Sequence, residues 1–127
     1  MNDVGADLLR HIAALDGLAS PEVRAAYLGL ILSGLAAGFV VEAERTAITA
    51  VKYYDAEKRY RYAYIVNKID LLFYLRKPSL QLDPELKDQA MATFGDVNLN
   101  AAGEVTIRIC SLDEAVALSA WLFGRND

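Results

Sequence analysis

Apolar positions in this chain change period as it is read from start to end. From Asp3 to Asp16, Val4, Leu8, Ile12 and Leu15 recur at helical spacing, which predicts an amphipathic helix with Asp7 and Arg10 elsewhere on its wheel. Gly17 is placed to end it. Ser20-Pro21-Glu22 then predicts a second helix, with Ser20 as N-cap, Pro21 in the first helical position and Glu22 near the positive helix end. The pair is expected to form a helical hairpin.

The second helix has two readings. Ala25 to Val41 holds no charge over seventeen residues, and Gly34 and Gly38 stand at GxxxG spacing. One reading is a membrane span with a small-residue packing face. The other is a centrally buried helix whose glycines admit a close neighbour. Seventeen residues is the lower edge of spanning length. Gly38 and the β-branched Val40-Val41 predict an early helix end, and no aromatic belt or basic flank marks a boundary. The buried helix is therefore the expectation, with no membrane contact.

Beyond a charged breaker at Glu42 to Arg45 the period shortens. TAITAVKYY, YRYAYIV and LLFYLRK predict three strands, joined by the polar turn Asp55 to Lys58 and by Asn67 to Asp70. Pro78, with no N–H to donate, stops the pairing. Asp83-Pro84-Glu85 opens a short helix with Leu86, Ala90 and Phe94 on one face, and Gly95 closes it. DVNLNAAGE is turn-rich. VTIRIC predicts a strand with Val105, Ile107 and Ile109 on one side and Thr106, Arg108 and Cys110 on the other. Ser111 and Glu114 form a capping box for a last helix that turns Leu118, Trp121 and Leu122 inward. The fold class is α+β: an antiparallel sheet of about four strands, with two N-terminal helices, a short helix and a C-terminal helix packed on it. Residues 1–127 are expected to form a single domain, the size at which one core suffices.

Composition adds one asymmetry. The chain has net charge −4, yet Lys52 to Lys77 carries seven basic and three acidic residues and six of the seven tyrosines. That makes the hairpin a candidate basic surface on an acidic body. The single cysteine, Cys110, excludes an intrachain disulfide framework and suggests a reducing, cytoplasmic setting. MNDVGADLLR lacks the basic start and apolar core of a signal peptide.

Catalytic chemistry is thinly supplied. His11, the only histidine, reads as a structural helix residue, and nothing around Cys110 or any serine resembles a nucleophile elbow. Cys110 reads as a small filler near a helix start; if exposed, it is expected to have a lowered pKa. Asp96, Asn98 and Asn100 have the spacing of a calcium loop, but Ala101 and Ile107 stand where glycine and glutamate are required. Pro84-Glu85-Leu86-Lys87 has the acid-x-Lys spacing of metal-dependent nucleases on a helix start instead of a strand. No phosphate loop is present, because Gly29, Gly34 and Gly38 lie in an apolar helix. No catalytic residue, metal ligand or cofactor is assigned.

The hairpin remains, and its faces depend on register. A two-residue turn at Asn67-Lys68 pairs Tyr62 with Phe73 and Tyr64 with Leu71, sends the tyrosine row into the core and leaves Arg61, Tyr74 and Arg76 outside. A three-residue loop, Asn67 to Ile69, pairs Tyr62 with Tyr74 and Tyr60 with Arg76, and reverses the faces. Across these alternatives the candidate binding residues are Lys52, Arg61, Tyr62, Tyr74, Arg76 and Arg108. Tyrosine interleaved with arginine suits a protein interface, and it also suits stacking on single-stranded nucleic acid. The leading expectation is a small non-enzymatic interaction module of inhibitor, immunity or adaptor type, bound to another protein through the sheet or the acidic body. Nucleic-acid binding through the basic hairpin is the second, and an enzyme with an unrecognised site the third.

Overall fold

The computed structural model describes residues 4–46 and 48–124. Two helices, α1 (Val4–Asp16) and α2 (Pro21–Ala36), lead into four strands: β1 (Val40–Arg45), β2 (Thr49–Tyr54), β3 (Tyr60–Val66) and β4 (Leu71–Leu75). Two short helices follow, α3 (Lys77–Leu82) and α4 (Leu86–Thr93), then β5 (Val97–Leu99), β6 (Val105–Ile109) and α5 (Leu112–Gly124). The expected helix start at Asp3, and Ala47 in the strand expected from Thr46, lie outside the described residues. All six strands form one antiparallel sheet in the order β1-β2-β3-β4-β6-β5. The class is α+β as expected, with six strands where about four were predicted.

Both additional strands lie in stretches with atypical strand sequences. β1 alternates Val41 and Ala43 inward with Glu42 and Glu44 outward, so the residues that resemble a helix tail and a charged breaker are a half-buried edge strand. β5 is three residues within the expected loop, paired to β6 at Val97–Ile107 and Leu99–Val105. Lys77–Leu82 is helical where only an end to pairing was expected; Pro78 occupies its first turn, where a missing N–H costs nothing.

α2 begins as its sequence predicts, with Ser20 Oγ accepting the Glu22 N–H at 3.1 Å. It ends at Ala36, and Gly38 adopts φ +94° to redirect the chain into β1. No helix among the described residues is long and apolar enough to cross a membrane. The helix is buried along one face only, not centrally as expected, since Leu28, Leu32 and Leu35 are exposed. On its inner face Gly34 supplies the expected close approach: a Cβ there would run into the Tyr53 ring and come within 3.2 Å of Val41.

α2 and α5 pack side by side over one face of the sheet. Tyr27, Leu30, Leu118 and Leu122 meet Tyr53, Tyr62, Tyr64, Phe73 and Ile107 in one core, all nearly or wholly buried. Burying each large side chain contributes about 1.5–3 kcal/mol. The tyrosines keep their hydroxyls satisfied by reaching carbonyls of α2: Tyr53 Oη donates to Leu30 O and Tyr64 Oη to Tyr27 O, both at 2.9 Å. Trp121 lies edge-on to Phe94 at the core margin, 5.2 Å between centroids.

α1 turns over relative to its expected wheel. Leu8 and Ile12 are exposed, while Ala14 is buried and Asp7 and His11 face the protein. His11 Nδ1 lies 2.6 Å from Tyr27 Oη, and Nε2 lies 3.1 Å from Asp7 Oδ2. The other oxygen of Asp7 accepts the Ala43 N–H of edge strand β1 at 2.9 Å. Polar contacts therefore fasten this helix, and hydrophobic periodicity alone misplaces its inner face.

The β3–β4 register matches neither expected turn. Tyr62 pairs with Leu75, Tyr64 with Phe73 and Val66 with Leu71, so four residues, Asn67 to Asp70, form the connection. Asn67 N–H donates to Asp70 O at 3.0 Å and Asn67 Nδ2 to Asp70 Oδ1 at 2.8 Å, which closes the longer loop. Because the pairing is offset by two residues from the two-residue turn, its parity is kept. Tyr62 and Tyr64 enter the core, and Tyr74 stays on the opposite face.

Candidate functional site

Strand parity sends one set of side chains away from the core helices. One row across the sheet reads Glu42, Lys52, Ala63, Tyr74, Thr106 and Asn98; the next reads Glu44, Ala50, Ile65, Leu72 and Arg108. The α2 and α5 side chains that enter the core meet the opposite face, so this one is open. Its middle is apolar, with Ala50, Ala63, Ile65 and Leu72 as a floor. Around Ala50, Ala63 and Ile65 the surface dips into a concavity of about 280 Å³, rimmed by Glu44, Lys52, Tyr60, Tyr74, Arg76 and Glu104.

Tyr60 is the centre of that rim. A β-bulge between Tyr53 and Tyr54 pairs Tyr54 with Tyr60 while Tyr53 pairs with Tyr62, leaving Arg61 as the extra residue. The bulge lays the Tyr60 ring between two cations. The Arg76 guanidinium carbon is 3.9 Å from its centroid, and Lys52 Nζ is 5.2 Å away. Burial raises the Tyr60 pKa, against the lowering pull of Lys52 and Arg76. Lys52 is also raised, chiefly by its hydrogen bond to Glu44. Lys52, Arg76 and Arg108 on this face each have an acidic partner. Lys52 meets Glu44 at 2.9 Å, Arg76 meets Glu104 at 2.9 Å, and Arg108 contacts Asp70 and, at 3.3 Å, Asp96. Glu44, Asp96 and Glu104 come from outside the Lys52–Lys77 stretch, so the fold brings acids from distant segments beside the basic hairpin.

Four of the six sequence candidates share this face: Lys52, Tyr74, Arg76 and Arg108. Tyr62 does not, being 2% exposed in the core. Arg61 is drawn aside by the bulge. Its Nε donates to Ser79 Oγ at 2.7 Å, its Nη2 to Tyr62 Oη at 3.2 Å, and its Nη1 reaches Asp55 Oδ2 at 3.3 Å. It ties β3 to α3 and to the β2–β3 turn. Asp55 is the hub of that turn, accepting Glu57 N–H and Arg59 N–H at Oδ1. Burial raises its pKa, but hydrogen bonds from Arg59, Glu57 and Arg61 outweigh that and bring it down to about 2.

Tyr60, Glu44 and Glu104 are rim residues that the sequence reading did not single out as binding candidates. Tyr60 depends on a bulge with no local signal, and the glutamates lie in β1 and in the turn before β6. Cys110 is exposed, and its pKa is raised by residual burial and by Glu114, contrary to the lowering expected at a helix start. Asn100 closes the β5–β6 turn by accepting the Glu104 N–H, and no group of metal-ligating residues gathers among the described residues. Compared with protein-family profiles, curated proteins and solved structures, the chain has no match.

Proposed function

We propose that the protein is a non-enzymatic interaction module whose open sheet face docks a segment of another protein. The observation that carries this reading is the apolar floor of Ala50, Ala63, Ile65 and Leu72, ringed by Tyr60, Tyr74, Lys52 and Arg76 with no core helix over it. Tyrosine and arginine around a desolvated apolar centre are the composition of a protein hot spot. Charge separates this reading from nucleic-acid binding. A phosphate-tracking surface needs uncompensated cations, whereas Lys52, Arg76 and Arg108 are each paired with a carboxylate. The pKa directions also favour binding over catalysis: Lys52 is held protonated and Tyr60 neutral, so neither is poised as a general base. An exposed, unbridged Cys110 fits a reducing compartment such as the cytoplasm.

The test is affinity capture from the native cells with a photo-crosslinking residue at position 72, on the same open face. A stable partner crosslinked there, and lost with Tyr74→Ala plus Arg76→Ala, supports the reading; hot-spot truncations of this kind cost about 2 kcal/mol or more each. Recovery of no partner, or equal retention by the double variant, overturns it. Binding of single-stranded RNA that falls steeply with salt would favour the nucleic-acid reading instead.

A further inference from the structure

The open sheet face carries a second dent. Val40, Glu42, Tyr54 and the β2–β3 turn enclose about 330 Å³ there, and Val40 is an exposed apolar wall. Strand register sets the two dents in line. Glu44 pairs with Ala50 at the first, Glu42 with Lys52 between them, and Val40 with Tyr54 at the second. Ala50 and Tyr54 stand at i and i+4 on β2, about 13 Å apart at a rise of about 3.3 Å per residue. Charge along that line is uneven. Lys52 is engaged by Glu44 at 2.9 Å, and Asp55 by Arg59 at 2.7 Å. Glu42, between the dents, and Lys58, in the turn that closes the second, have no ion pair among the described residues. One uncompensated carboxylate and one uncompensated ammonium on a single line call for opposite charges, in a fixed order, in whatever lies over them.

We infer that the occupant of this face, given the docking role proposed above, is an extended segment patterned apolar–x–basic–x–apolar–x–acidic. An extended chain turns residues i, i+2, i+4 and i+6 to one side, at the rise of the strand beneath it. Its four side chains then meet the first dent, Glu42, the second dent and Lys58 in that order. A helix repeats every 3.6 residues and falls out of step with a strand. A phosphodiester strand carries one sign of charge throughout and offers Glu42 no partner. Both dents are wide enough for an aromatic ring, the side chain that most often anchors a protein interface.

Fluorescence polarisation on the full chain tests this with labelled, end-blocked peptides. The probes are Phe-Thr-Lys-Thr-Phe-Thr-Glu and the charge-exchanged Phe-Thr-Glu-Thr-Phe-Thr-Lys, each made in both chain directions. All share one composition and one net charge, so non-specific attraction is equal among them. In at least one direction the first pattern is expected to bind at least ~10-fold more tightly than its exchanged form. Glu42→Lys plus Lys58→Glu, at positions with no side-chain hydrogen bond, should keep the wild-type circular dichroism and invert that preference. Equal binding of both patterns, binding of neither, or a preference unchanged in the double variant overturns the inference. So does a dimer of this chain that closes the face and that no peptide displaces. A partner that crosslinks at position 72 equally well after Glu42→Lys plus Lys58→Glu leaves the docking role standing and overturns this pattern alone.

Discussion

The Tyr53 ring rests directly against the Cα of Gly34, and no side chain fits between them. Tyr53 is wholly buried and its hydroxyl is bonded to Leu30 O, so the ring cannot yield. Gly34→Ala is therefore expected to destabilise the protein by about 1–3 kcal/mol through overpacking, despite the better helix propensity of alanine. Gly29→Ala is the control: its new methyl meets only the tip of Leu112, a flexible and partly exposed neighbour. Urea midpoints should place Gly29→Ala well above Gly34→Ala.

The same aromatic core predicts behaviour in alkali. Burial raises the pKa of Tyr27, Tyr53 and Tyr64 above the ordinary 10.0. With the folded value above the unfolded one, their contribution to stability is complete below about pH 10 and declines as pH rises further. Spectrophotometric titration should find these three phenols ionising only with cooperative unfolding. Smooth ionisation of all seven tyrosines in a folded protein would contradict it.

In acid the sign reverses at Asp55. Its pKa falls from 3.8 to about 2 in the fold, so the unfolded chain binds the extra proton between those values. The stabilisation it provides is present above about pH 4 and lost as pH falls towards 2. Asp55→Asn should flatten the acid-denaturation slope in that window and leave the alkaline limb unchanged.

Arg61 and Arg108 look alike in sequence and should behave differently on substitution. Arg61→Ala removes charge-assisted bonds to the buried Ser79 and to Asp55 and should cost about 1.5–3 kcal/mol. Arg108→Ala leaves the buried Asp70 carboxylate without its ion pair, whereas Asp55 keeps Arg59 when Arg61 is removed, so it should cost more, about 3 kcal/mol. Guanidinium denaturation of the two variants checks the ranking.

What was legible in the sequence follows from where the controlling interaction lies. Caps and alternation are local, and Ser20, Ser111 and the Val105–Ile107–Ile109 row stand where their neighbours imply. The outward placement of Tyr74 and Arg76 was open only by one residue of loop length, which parity then decided. β1 was hidden because its glutamates serve the open face, and inwardness in α1 was misjudged because Asp7 and His11 bond residues 36 and 16 positions away. Tyr60 reached the rim through a bulge, a feature that depends on the partner strand.

The Asp7 carboxylate on the Ala43 amide has a consequence for how the chain behaves in company. β1 is the terminal rung of a six-stranded ladder, and its outward amides are an invitation for another strand to add on. By holding one of those amides, α1 acts as a stopper on the ladder. Freed of it, the sheet would keep growing from one molecule into the next, and fibre formation, more than lost activity, would be the sign that this one contact had failed.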